Sequence, residues 1–162
     1  MHKGLTIIVV LLVLLIVYYV VVHMGGKKEV YVITSNDGGY QTSFEESKSV
    51  VKSFDSNAEL ATYDQVLEAQ KAGAQWCSAG WMIDGRGAFP MQGTYPGCGG
   101  PSVNLWTPEG KKANIIAYGV KPSEEDVRKM RTEKKLSYWI LPFYQPSSDK
   151  DTKPRKWSQY DP

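Results

Sequence analysis

The chain has 162 residues, 42% hydrophobic and 22% charged, and its 19 basic and 17 acidic side chains leave a net charge of +2. No long block of one sign occurs, so nothing argues for nucleic acid as a partner. The two histidines, His2 and His23, flank an apolar run. Residues 29–142 therefore lack histidine, which excludes Ser-His-Asp and Cys-His catalysis and His-ligated metal sites there.

Residues 5–22, LTIIVVLLVLLIVYYVVV, hold 17 hydrophobic residues in 18 positions. As a helix they reach about 27 Å, close to the roughly 30 Å of a bilayer's hydrocarbon core. The run is apolar on every face. It is longer than a usual signal-peptide core and leads out through Val21-Val22-His23-Met24, not through small residues. The expectation is a transmembrane helix over 5–23 with the lipid bilayer as partner, after a short tail, 1–4, and before a stalk, 24–28. Lys3 on one side and Lys27 and Lys28 on the other leave the orientation open. A bridge between Cys77 and Cys98 would put the following domain in an oxidising space. The protein is then single-pass, with that domain extracellular or lumenal, or within a virion between membrane and shell.

The alternation of EVYVITS predicts a strand over Glu29–Ser35, and Asn36-Asp37-Gly38-Gly39 a turn. Ser43 and Glu46 make a capping box that opens a helix, with Phe44, Ser47, Val51 and Phe54 on one face. Thr62 and Gln65 make a second box, followed by Val66 and Ala69 and stopped by Gly73. Two short apolar segments, Trp76–Ile83 and Ala88–Met91, flank a hairpin-like loop at Asp84–Gly87. Residues 92–112 are rich in Gly, Pro, Thr and Ser and read as long loops. Asn114–Val120 is a strand, Glu124–Lys135 a charged connector able to form a helix, and Leu136–Leu141 a last strand. Residues 143–162 form a polar tail containing Phe143, Tyr144, Trp157 and Tyr160. No internal repeat occurs. The fold class is α+β, two helices beside antiparallel strands, in a domain over 29–142.

The stretch from Gly39 to about Leu141 resembles the Link module, the hyaluronan-binding variant of the C-type lectin-like fold. GYQTSFEESKSVV, LATYDQVLEAQKAGAQWCSAGWMIDGRGAFP, CGG and IIAYGV carry the resemblance in order, and Leu60–Pro90 is its most specific part. Link modules usually have two bridges; the resemblance implies that Cys77 and Cys98 form the inner one. At the positions of the other pair stand Val51 and Trp139, which are expected to pack together in its place. The stretch between Cys98 and Ile115 is about ten residues longer than in a short Link module, and adds Leu105, Trp106, Pro108, Gly110, Lys111 and Lys112.

The resemblance also implies a sugar site. Link modules stack exposed tyrosines on sugar rings and meet sugar carboxylates with basic residues. Carried over by position, the ligand-binding set is Tyr40, Arg86, Phe89, Tyr118 and Lys121. Gly39 and Gln41 stand where the family has further basic residues, so the aromatic platform is kept and the positive field thinned. Trp76 and Trp81 are expected in the core. No cofactor is implied: zinc lacks further Cys or His ligands, and calcium lacks a cluster of acidic and amide ligands.

Three functions follow. The first is a non-enzymatic binding module for hyaluronan or another extended glycan. The second is structural: a membrane-anchored minor capsid component of a large DNA virus, contacting neighbouring structural proteins through the fold and the tail. The absence of an N-x-S/T sequon and the aromatic tail favour it. The third is an enzyme using Asp84 and Glu109, which nothing in the sequence places together.

Overall fold

The computed structural model describes residues 2–24, 26–35, 40–107, 112–134 and 136–141. The expected turn at 36–39, the tail 143–162, and Pro108, Glu109, Gly110 and Lys111 lie outside the described residues.

The N-terminal run forms α1 (His2–Met24). Its described side chains, Ile7 to Tyr18, are all more than half exposed. Among the described residues no helix is long and apolar enough to cross a membrane. The expected single-pass localisation is corrected on that finding, and the bilayer partner and the membrane-to-shell placement lose their basis with it.

The domain is built on a sheet of seven strands among the described residues: β1 (Lys28–Ser35), β2 (Glu59–Leu60), β3 (Gly80–Trp81), β4 (Gly87–Pro90), β5 (Val103–Trp106), β6 (Asn114–Val120) and β7 (Tyr138–Ile140). The order is β5-β4-β3-β6-β1-β7, with β2 also on β6. β1 and β6 run antiparallel from Lys28↔Val120 to Ile33↔Ile115. β3 joins β6 in parallel, Gly80 opposite Asn114 and Trp81 opposite Ile115. The expectation of a purely antiparallel sheet is corrected here. A parallel neighbour needs a long crossover, and the chain from β3 to β6 supplies one through β4 and β5. Residues 92–112 are likewise not all loop. Val103–Trp106 pairs with β4 despite the surrounding Gly and Pro, because two β-branched or aromatic ends gain a partner strand.

Both capping boxes form. Ser43 and Glu46 satisfy each other's backbone donors at the start of α2 (Phe44–Phe54), and Thr62 and Gln65 do so for α3 (Tyr63–Lys71). Gly73 stops α3 with φ +101°, a conformation open to glycine without strain. The charged connector forms α4 (Glu124–Lys134).

Strand alternation divides the core into two clusters. Tyr31, Ile33, Ile115, Ala117 and Trp81 face α2, together with Val51, Phe54 and Trp139. Val30, Val32, Ile116, Trp76 and Met82 face the other way, together with Val66 and Ala69 of α3. Trp76 and Trp81 are buried, as expected. Val51 and Trp139 share the first cluster, so apolar volume occupies that region of the core. Arg131 of α4 stacks over the Trp139 ring at 4.4 Å.

Candidate functional site

The site begins with the segment that follows the turn. Thr42 bridges Ala113 through reciprocal backbone bonds of 3.0 and 3.3 Å, and its carbonyl accepts the Trp81 indole N–H at 2.8 Å. These contacts fix the backbone two residues from Tyr40. The Tyr40 hydroxyl accepts the Ala79 backbone N–H at 2.9 Å, while the residue stays 42% exposed.

Ala79 is itself held from behind. Its carbonyl accepts the backbone N–H of Asn114 at 3.1 Å. The Asn114 side chain is buried; it accepts from the Thr34 hydroxyl at 2.9 Å and donates to Ser78 at 2.5 Å. A buried amide with these partners fixes one orientation of the peptides around it. The chain Thr34–Asn114–Ala79–Tyr40 thus runs from the core to the surface ring.

Trp106 closes the other side of Tyr40. Its ring centroid is 5.7 Å from that of Tyr40, with the planes tilted by 31°, within the range for offset aromatic pairs. Trp106 lies opposite Gly87 in the β4–β5 ladder. A Cβ at Gly87 would sit 2.9 Å from the Trp106 Cε3 and 3.2 Å from its carbonyl oxygen, so only glycine lets the indole lie there. Phe89, two residues along β4, shares that face by strand alternation and is half-buried. Trp106 on β5 thus stands beside Tyr40, which remains exposed among the described residues.

The base of this structure is tied by a disulfide. Cys77 and Cys98 are bridged, with Cα atoms 5.5 Å apart and a sequence separation of 21. Cys98 belongs to a turn closed by Tyr95 N–H to the Gly99 carbonyl at 3.0 Å. Asn104 on β5 reaches back to the Gly100 carbonyl at 3.0 Å. Bridge, turn and Asn104 together deliver β5 to the edge of β4.

The basic residues are placed less favourably. Arg86 sits in the β3–β4 turn, with its Nη2 2.6 Å from the Asp84 carboxylate and its Nε 2.8 Å from the same oxygen. Partial burial works to raise the Asp84 carboxyl, but hydrogen bonds from the Arg86 side chain and backbone and its charge outweigh this and hold it below its ordinary value of 3.8. The Arg86 charge is already engaged. Exposed pairs of this kind are worth only about 0–1 kcal/mol, so a ligand carboxylate can compete.

Tyr118 and Lys121 lie elsewhere. Tyr118 is opposite Val30 on β1 and Glu59 on β2. It packs with Tyr63 and Leu67 against the second core cluster, on the sheet face opposite Trp81 and Trp106. It is also about 13 Å along β6 from Asn114. Lys121 follows the end of β6 and is half-buried. The structure thus brings Tyr40 and Trp106 together with Phe89 on the same face, sets Arg86 in the turn leading into β4, and leaves Tyr118 and Lys121 apart. Sequence reasoning missed Trp106 and Asn114. The alternation of Val103–Trp106 beside the strand-compatible GAFP segment was the available signal for Trp106. None existed for Asn114, whose role depends on the parallel β3–β6 pairing.

Two capped helices against a mixed sheet, with a bridge at Cys77–Cys98, define a link-type domain. Residues 29–127, more than half of the chain, match the family model described as the extracellular link domain, and the chain belongs to that family. The human tumor necrosis factor-inducible gene 6 protein is 35% identical over 92 residues, which are 57% of this chain and 29% of that protein. The chain thus spans less than a third of that relative's length.

Proposed function

We propose that the chain is a non-enzymatic binding module for an extended glycan of the hyaluronan type, held mainly by aromatic stacking. The observation that carries this reading is Tyr40: an exposed residue whose hydroxyl is fixed by Ala79 and whose ring has Trp106 beside it. A fixed flat ring suits the apolar face of a pyranose and loses little side-chain entropy on binding. Link-family membership points to the same ligand class.

The contact set on this reading is Tyr40 and Phe89, with Arg86 reaching a sugar carboxylate by exchange from Asp84. Tyr118, on the opposite face of the sheet, and Lys121, after the end of β6, are the family-implied contacts, and the Tyr118 side is compared directly in the test. Calorimetric titration of the full chain with hyaluronan oligosaccharides, repeated with Tyr40→Ala and Tyr118→Ala, assigns the face. Loss of binding in the Tyr40 variant and retention in the Tyr118 variant supports the Tyr40 face; the reverse outcome moves the site to Tyr118 and Lys121. The structural virion reading rests on residues 143–162 and on a membrane anchor, and no observation among the described residues favours it.

A further inference from the structure

Trp106 lies in the stretch that lengthens this chain relative to a short Link module. Two observations set it apart from an ordinary core tryptophan. It remains partly exposed, where Trp76 and Trp81 are buried. Its position also depends on a specific absence of side chain at Gly87. The result is a second aromatic ring beside Tyr40, 5.7 Å away and tilted by 31°. That separation is on the scale of one pyranose residue in an extended chain.

We propose that Trp106 is a second sugar-stacking residue, so that Tyr40 and Trp106 take two consecutive rings of one glycan chain. This rests on the glycan-binding reading above and adds to it a length requirement. The charge distribution fits recognition by stacking: Gln41 beside Tyr40 is uncharged, and Arg86 is held by Asp84. Discrimination then falls on ring faces and chain length, with ionic contacts secondary. On the protein side the arrangement is secured by the Cys77–Cys98 bridge and the Asn104 contact with Gly100, which hold the start of β5.

The test uses the full chain and hyaluronan tetra-, hexa- and octasaccharides. The parent chain is expected to gain affinity with length until both rings are covered. Trp106→Ala should lose that gain, about three- to tenfold for the longer oligosaccharides, and Trp106→Phe should keep most of it. Because Trp106→Ala can disturb β5, a second measurement uses the unaltered chain: oxidation of tryptophans mapped by peptide mass spectrometry. Saturating hexasaccharide should protect Trp106 and leave the buried Trp81 unchanged. Oligosaccharide binding with an undiminished length gain in Trp106→Ala, and no protection of Trp106, would overturn the Trp106 assignment while leaving glycan binding intact. Absence of binding to every oligosaccharide by the parent chain would overturn both.

Discussion

The Tyr40 hydroxyl accepts the Ala79 backbone N–H at 2.9 Å, joining residues 39 positions apart. The Ala79 carbonyl in turn accepts the Asn114 backbone N–H, so exposed Tyr40 is tied to buried Asn114 through a single residue. Tyr40→Phe keeps the ring and leaves the Ala79 donor without its acceptor. The expected stability cost is about 1 kcal/mol, read from urea unfolding, with binding only mildly weakened. Tyr40→Ala removes the ring and should abolish most binding with a similar stability cost. Equal binding losses in the two variants would mean that the hydroxyl, not the ring, meets the ligand.

Asn114→Ala should act at a distance. It leaves the buried Thr34 hydroxyl without its acceptor and releases Ser78 beside Ala79. A cost of about 1–3 kcal/mol is expected, together with weaker glycan binding although Asn114 is buried. Unfolding curves and titrations on the same preparation check both parts.

Tyr31 offers the opposite sign. Its side chain is 1% exposed, and its hydroxyl has no hydrogen-bond partner among the described residues. Burial, helped by the nearby Asp55 charge, pushes its phenol well above the ordinary value. Tyr31→Phe removes an unpaired polar group from an apolar cluster, and should be neutral or stabilising by up to about 1 kcal/mol. A clear loss of stability on urea unfolding would show that the hydroxyl is satisfied in solution.

Much of this fold was legible. Ser43 with Glu46 and Thr62 with Gln65 are local patterns, and local hydrogen bonds form them as read. The α2 face follows from helical periodicity, and the burial of Trp76 and Trp81 from their large apolar side chains. The missed parts depend on contacts between distant segments. The parallel pairing of Gly80 and Trp81 with Asn114 and Ile115 joins strands over 30 residues apart, and β5 exists only because β4 lies beside it. Of the proposed contacts, Tyr40 and Phe89 could be assigned by position. The engagement of Arg86 by Asp84 and the bracing of Tyr40 by Trp106 could not, because each is set by side-chain geometry. The membrane reading of 5–23 came from hydropathy alone, and the described residues do not support it.

The Cys77–Cys98 bridge closes a loop that carries β4 and the approach to β5. Replacing both cysteines by serine should lower stability by about 3 kcal/mol for a loop of this length, visible as a lower melting temperature. Binding at low temperature should weaken as well, since the bridge holds the base of the Tyr40–Trp106 pair.

Acid should loosen α2 first at its start. Hydrogen bonds from the Ser43 backbone and then its hydroxyl hold the Glu46 carboxyl below its ordinary value of 4.5. A depressed folded-state value means that the capping box contributes fully above pH 4.5 and is lost as pH falls through the folded value. Glu46→Gln should therefore flatten the stability profile below pH 4.5, measured by denaturant midpoints across that range. An unchanged acid limb would remove Glu46 from the account.

The proposed function turns on an exposed, anchored Tyr40 stacking on a sugar ring. Calorimetric titration of the full chain with hyaluronan octasaccharide, beside the Tyr40→Ala variant, tests it most directly. The account predicts saturable heat for the parent chain and at least about tenfold weaker binding for the variant, or about 1.4 kcal/mol. No heat with the parent chain, or equal affinity in the two, would contradict it.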